Sequence, residues 1–200
     1  MIEPAAVALH AVKRSRFAVG DVVSVAGCGP IGLMTIQCLR LAGAGKIIAA
    51  EPDSKRRARA LALGADLAAE PGPELREAIN AETRGLRCDI AFDCAGIPQT
   101  LQQCVDMVRS GGSVCMVGVS GGTASIQPMR WMMKEVSVDT SILFSLEEMS
   151  IAAKLIGDGR IRTREFVADI IELNALPTTI DELATRKLDA IKILVDPSAG

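Results

Sequence analysis

The chain has 200 residues, 49% hydrophobic and 23% charged, with a formal net charge of −2; that balance belongs to a folded domain with a modest appendage, not to a disordered segment. Lys and Arg are dispersed, so there is no footprint for a nucleic-acid backbone. Tyr is absent and His10 is the single histidine, so neither a Tyr–Lys acid pair nor a multi-His metal site can be assembled within the chain.

The opening MIEPAAVALHAVKR lacks the basic start and apolar core of a secretory signal. Residues 22–26 (VVSVA) read as a buried strand and 31–42 (IGLMTIQCLRLA) as a helix. The run from Val22 to Leu39 carries no charge, but Gly27, Gly29, Pro30 and Gly32 interrupt it. That punctuation predicts strand, turn and helix instead of a membrane span. A strand at 46–50, a helix at 54–64 ending on Gly64, a short strand at 66–69 and a helix at 74–84 follow. Next come a strand at 89–96, a helix at 100–108, a turn at Gly111 and Gly112, and a strand at 113–119. Apolar strands alternating with helices predict an α/β fold, a doubly wound parallel sheet covered on both faces.

Past residue 120 the rhythm weakens. A loop at 120–125, a short helix at 128–134 with Pro128 in its first turn, a strand at 135–143 and a helix at 146–159 are expected. The tail, with segments 166–173, 178–187 and 190–197, is expected to leave the βαβ alternation and to belong to a second unit. None of the six cysteines (Cys28, Cys38, Cys88, Cys94, Cys104 and Cys115) forms a CxxC pair, and most lie in apolar runs. They read as free thiols packed as small hydrophobes in a reducing cytoplasm.

The chemistry-bearing segment is SVAGCGPIGLM (24–34), a GxGxxG made by Gly27, Gly29 and Gly32 between a strand and a helix. Gly27 lets the strand turn sharply, Gly29 lets backbone approach a pyrophosphate, and Gly32 lets the helix pack closely on the strand. The N-terminus of that helix then offers unpaired N–H groups and partial positive charge to phosphates. Glu51 ends the next strand and is placed to accept hydrogen bonds from an adenosine ribose and to repel a 2′-phosphate, which favours NAD over NADP. The basic group Lys55, Arg56, Arg57 and Arg59 argues the other way. Of these, Arg56 is the one placed to reach the adenosine end, whereas Arg57 and Arg59 suit a solvated helix face.

With these residues the chain resembles the medium-chain dehydrogenase/reductase family, in particular its zinc-dependent polyol and alcohol dehydrogenase branch. The resemblance covers nearly all of the chain and is carried by EPAAVALHAV (3–12), residues 20–66, FDCAG (92–96), RSGGSVCMVGV (109–119) and AIKILVDP (190–197). It implies a Rossmann domain at 19–163, preceded by a linker helix (1–18) and followed by a return segment (164–200) of a GroES-like catalytic domain expected to be missing. By the same resemblance Gly27, Gly29, Pro30, Ile31 and Gly32 hold the pyrophosphate, Glu51 and Arg56 the adenosine ribose, and Gly96 lies near the adenosine end. Val117, Gly118 and Val119 line the nicotinamide side, and Lys192 stands near the cofactor phosphates unless it is simply a charge on a solvated strand end. Glu3 matches a glutamate close to a catalytic zinc, and His10 reads as structural.

The implied reaction of an intact relative is hydride transfer between a small alcohol or polyol and NAD, with zinc as the other cofactor. A lone Glu3 cannot hold zinc tightly, so the chain is expected to bind NAD without oxidising alcohols by itself. Self-association is expected, with residues 135–143 pairing edge to edge with a second copy. Two rivals remain open: an S-adenosylmethionine-dependent methyltransferase, since VAGCGPIG and AEPD also suit that ligand, and a non-catalytic NAD-binding module.

Overall fold

The computed structural model describes residues 1–185, 187–188 and 190–198. The chain forms two compact units, Met1–Ile161 and Arg162–Gly200.

The first unit is built on six strands, β1 (Val22–Ala26), β2 (Lys46–Ala50), β3 (Leu67–Ala69), β4 (Cys88–Asp93), β5 (Val108–Met116) and β6 (Ser137–Thr140). They pair in the order β3-β2-β1-β4-β5-β6, all parallel. The central strands β1, β2 and β4 are largely apolar and enclosed, as in Val23, Val25, Ile47, Ile48, Ile90, Ala91 and Phe92, because helices cover both faces. Helices α4 (Pro73–Thr83), α5 (Pro98–Met107) and α6 (Pro128–Lys134) share one core with the sheet, through Leu75, Ile79, Cys104, Val105 and Trp131 packed around Ile48, Ala50 and Val114. After β3 the chain crosses back through α4 to β4, so the direction of winding reverses between β1 and β4.

Helix α1 (Ile2–Arg14) packs on α2 (Pro30–Ala42) and α7 (Leu146–Gly157). Ala5, Ala6, Ala8 and Ala11 are fully buried; their small side chains allow close approach. Helix α7 opens with a capping box between Ser145 and Glu148. Helix α3 (Ser54–Ala62) connects β2 to β3 and is N-capped by Asp53.

Three details correct the sequence reading. Gly111 and Gly112 do not make the turn before a strand; they sit inside β5, where the register jumps from Cys88↔Val108 to Ile90↔Ser113. The intervening residues bulge, with Gly111 at φ +70 and Arg109 Nε donating to Asp89 Oδ1 at 2.7 Å. The strand also stops at Met116 instead of reaching Val119, and β6 is shorter than the predicted 135–143, bounded by Glu135 and Leu143 in left-handed backbone.

In the second unit β7 (Val167–Glu172) and β8 (Lys192–Asp196) pair in parallel, with α8 (Leu176–Ala184) between them in sequence. The tail therefore does alternate β–α–β, contrary to the sequence reading, but in a sheet of its own. The predicted helix 178–187 includes Arg186, which lies outside the described residues. Among the described residues no helix is long and apolar enough to cross a membrane.

Candidate functional site

The turn from β1 into α2 assigns a different task to each of its glycines. Gly27 stands at φ +88 with its N–H donated to Ala50 O at 2.8 Å, and a Cβ there would lie 2.8 Å from the Ala95 backbone. Gly32 faces the turn itself: a Cβ would come within 1.8 Å of Gly27 O, so its tight neighbour is the preceding turn more than the strand the sequence suggested. Gly29 is different. It N-caps α2 at φ −73, a conformation open to any residue, and a Cβ on it would meet nothing within 4 Å. Pro30 takes the first helical position, where no N–H is needed. The N–H groups of Ile31 and Gly32, in the first turn, have no acceptor within the helix, and Gly29 supplies no side-chain cap. The result is an open concavity backed by backbone donors and by the positive end of α2.

Glu51, just past β2, is 4% exposed and turned toward that loop. Its Oε2 accepts the Cys28 N–H at 2.7 Å and its Oε1 the Asp53 N–H at 3.1 Å. Arg57 Nη1 donates to the carbonyls of Glu51 at 2.8 Å and Pro52 at 2.7 Å. Arg57 is thus a half-buried clamp on the end of β2 and not part of a solvated face; nothing in a helical pattern marks it, because its partners are carbonyls upstream of the helix. Arg56 donates its backbone N–H to Asp53 Oδ1 at 2.8 Å. Burial pushes the Cys28 thiol up to about 12, helped by Glu51 and opposed by the nearby Arg56 guanidinium, which places Arg56 beside the loop.

The loops after β4 and β5 close on the same place. Asp93, the last residue of β4, is buried, and burial raises its pKa. Working against that rise, its carboxylate accepts Thr100 Oγ1 at 2.9 Å and the N–H groups of Ala95 at 3.2 Å and Gly96 at 3.4 Å. Its carbonyl accepts Val117 N at 2.9 Å and Gly118 N at 2.8 Å. Those bonds turn the chain away from β6 and explain why Val117–Val119 is loop. Gly96, at φ +64, and Gly118 touch so closely that a Cβ on Gly96 would lie 2.7 Å from Val119 O and one on Gly118 2.4 Å from Gly96 N. Val117 is buried and Val119 is 85% exposed. Gly27–Gly32, Glu51, Arg56, Gly96 and Val117–Val119 therefore gather at the carboxyl ends of β1, β2, β4 and β5. Asp93 and Arg57, which shape this place, were missed in the sequence.

Lys192 begins β8 of the second unit and is exposed. Glu3 is an exposed residue in the first turn of α1. Among the described residues no group of three or more His, Cys, Asp or Glu side chains stands where it could hold a metal ion. The residues present do not fit a zinc site, and no step through zinc is derived for this chain. His10, read as structural, does have a partner far along the chain: its Nδ1 lies 2.9 Å from Glu148 Oε2, with Lys13 Nζ 3.5 Å from Oε1.

An open parallel sheet with a glycine turn after β1 and an acidic residue at the carboxyl end of β2 is the doubly wound, Rossmann-type domain. Residues 30–158 match the model of the zinc-binding dehydrogenase family. The chain is 32% identical over 198 residues to (R,R)-butanediol dehydrogenase of Bacillus subtilis, covering 99% of this chain and 57% of that protein. It is 26% identical over 203 residues to sorbitol dehydrogenase of Gallus gallus, covering 99% of this chain and 56% of that protein. The crystal structure of a zinc-binding dehydrogenase from Sinorhizobium meliloti, bound to NADP, is similar with a TM-score of 0.86 at 30% identity, over 98% of this chain and 58% of that one. The chain belongs to the zinc-binding dehydrogenases, the polyol and alcohol branch of the medium-chain dehydrogenase/reductase family, and spans little more than half the length of the relatives it matches.

Proposed function

We propose that this chain is the cofactor-binding part of a nicotinamide-dependent alcohol or polyol dehydrogenase and that it takes NAD in preference to NADP. The observation that supports this most is the pairing of an open, donor-lined glycine turn after β1 with a buried glutamate at the carboxyl end of the neighbouring β2. In this reading the N–H groups of Ile31 and Gly32, and the room beside Gly29, receive the pyrophosphate. The Glu51 carboxylate, held by Cys28 and Asp53, keeps lone pairs for the ribose hydroxyls and repels an added phosphate at short range. Arg56 flanks the adenosine end, with Gly96 nearby. Val117, Gly118 and Val119 carry the nicotinamide end through their backbone. When bound, the nicotinamide supplies the hydride acceptor or donor; the chain's own part is to bind, orient and shield it.

The substrate class, a small alcohol or polyol, is proposed from the butanediol and sorbitol dehydrogenases that the chain resembles. We place the zinc ligands of the intact enzyme outside this chain, save for Glu3, which we place near that metal. Alone, the chain binds cofactor without turnover. The test is nicotinamide absorbance at 340 nm with NAD, zinc and a panel of diols and polyols: a flat trace is expected, and sustained reduction would overturn the division of labour. The six thiols, all free, support a reducing, cytoplasmic setting. Strand β6 is an unpaired edge beside exposed Ile142, Leu143 and Leu146, and we place the contact of a homodimer there.

A further inference from the structure

On the face of the sheet opposite α1, a cleft of about 340 Å³ opens between α4 and α5. It exists because of the topology: α4 carries the chain back across the sheet from β3, α5 covers β4 and β5, and the two helices part above the switch point. The floor is apolar, made by Ala50, Leu75, Ile79 and Met107. The walls are not. They carry Arg76 and Asn80, one turn apart on α4, Gln103 and Asp106 on α5, and Arg87 and Arg130.

Three guanidinium groups and one carboxylate thus line the same cleft. Arg130 Nε is paired with Asp106 Oδ1 at 3.0 Å, and Arg87 Nη1 donates to the Asp106 carbonyl. The Arg76 guanidinium has no hydrogen bond or ion pair among the described residues. The local excess of positive charge also reaches Lys134, whose Nζ donates to Val105 O and Val108 O. Burial pulls its pKa down to about 8, and Arg87 and Arg130 pull the same way against Asp106. Net lining charge is near +2, on the arithmetic of Arg76, Arg87 and Arg130 against Asp106. A phosphomonoester carries about −2 at neutral pH and offers oxygens that match guanidinium forks. The apolar floor and the amides of Asn80 and Gln103 suit a flat body attached to it.

We propose that the cleft between α4 and α5 is a second ligand site, separate from the glycine turn, which takes a phosphomonoester carried on an apolar ring. The phosphate meets Arg76, Arg87 and Arg130, and the ring lies on Leu75, Ile79 and Met107. The inference does not depend on the cofactor reading, since no residue of the cleft belongs to the glycine turn or to Glu51.

Calorimetric titration of the whole chain with phenyl phosphate, phenol and inorganic phosphate tests it. Saturable binding of phenyl phosphate is expected, at least about tenfold tighter than either half alone, because head and body then act together. Arg76→Ala, at an exposed position, is expected to weaken it about tenfold or more through the lost charge-assisted bond while NAD titrates unchanged. Arg130→Gln is a second variant with the same expectation. Absence of binding, binding equal to phosphate alone, or indifference to Arg76→Ala would each overturn the proposal. Displacement of phenyl phosphate by NAD would assign the cleft to the cofactor and overturn it as a separate site.

Discussion

Glu51 stands 23 residues from Cys28 in the chain, yet its carboxylate accepts the Cys28 N–H at 2.7 Å, and this buried bond ties the end of β2 to the glycine turn after β1. The residue proposed to bind the ribose is also the brace of the loop proposed to bind the pyrophosphate. Glu51→Ala should therefore act twice. It leaves the Cys28 and Asp53 N–H groups without their acceptor, and each such loss destabilises by about 1–3 kcal/mol. A lower midpoint in thermal denaturation, together with weaker dinucleotide binding, is expected. An unchanged midpoint would show that water replaces the carboxylate.

The glycines separate packing from binding. Gly32→Ala would drive a Cβ to 1.8 Å from Gly27 O, so loss of about 3 kcal/mol or outright failure to fold is expected. Gly29→Ala meets no neighbour and needs no unusual backbone. Its stability should stay within about 1 kcal/mol, while dinucleotide affinity falls because the methyl group enters the concavity. Paired urea melts and cofactor titrations of the two variants check the contrast.

The node joining α1 to α7 gives a pH dependence. Burial raises the Glu148 pKa, but Ser145, through its N–H and hydroxyl, and His10 outweigh it, so the net shift is downward. A depressed folded pKa means that the stabilisation is present above the ordinary glutamate range and lost as pH falls through the folded value. Glu148→Gln removes that contribution, with His10 Nδ1 and Lys13 Nζ the groups that lose their partner. The variant should be less stable than the parent at pH 7 and approach it near pH 3. Urea midpoints across that range read the convergence; a constant gap would contradict it.

Buried thiols should be inert. Desolvation pushes Cys28, Cys38, Cys88 and Cys115 up to about 12, and Cys94 and Cys104 are raised as well. Thiolate is the reactive form. A disulfide reagent at pH 8 should label the native chain far more slowly than the chain in guanidinium, where all six cysteines react.

How much of this was legible depended on whether a signal was local. Strands such as KIIAA and the turn GCGPIG carry their own apolar run or glycine spacing, and those elements, with Gly27, Gly29 and Glu51 at the strand ends, could be read directly. Strand β6 was overextended because Glu135 and Leu143, which bound it, adopt left-handed backbone that their residue types do not announce. The β–α–β order of the tail was hidden by half-exposed strands whose pattern is neither continuous nor alternating. Arg57 grips carbonyls, and carbonyls leave no trace in composition. Arg76, Arg87 and Arg130 line one cleft only because α4 crosses the sheet. The His10–Glu148 contact, 138 residues apart, required the packing of α1 on α7.

The most direct test is calorimetric titration of the chain with NAD and with NADP, each repeated on Glu51→Ala. The account expects one saturable site for NAD, weaker binding of NADP, and a clear loss of NAD affinity in the variant with preference between the two nucleotides reduced. No measurable dinucleotide binding by the folded chain, or NAD affinity untouched by Glu51→Ala, would contradict it.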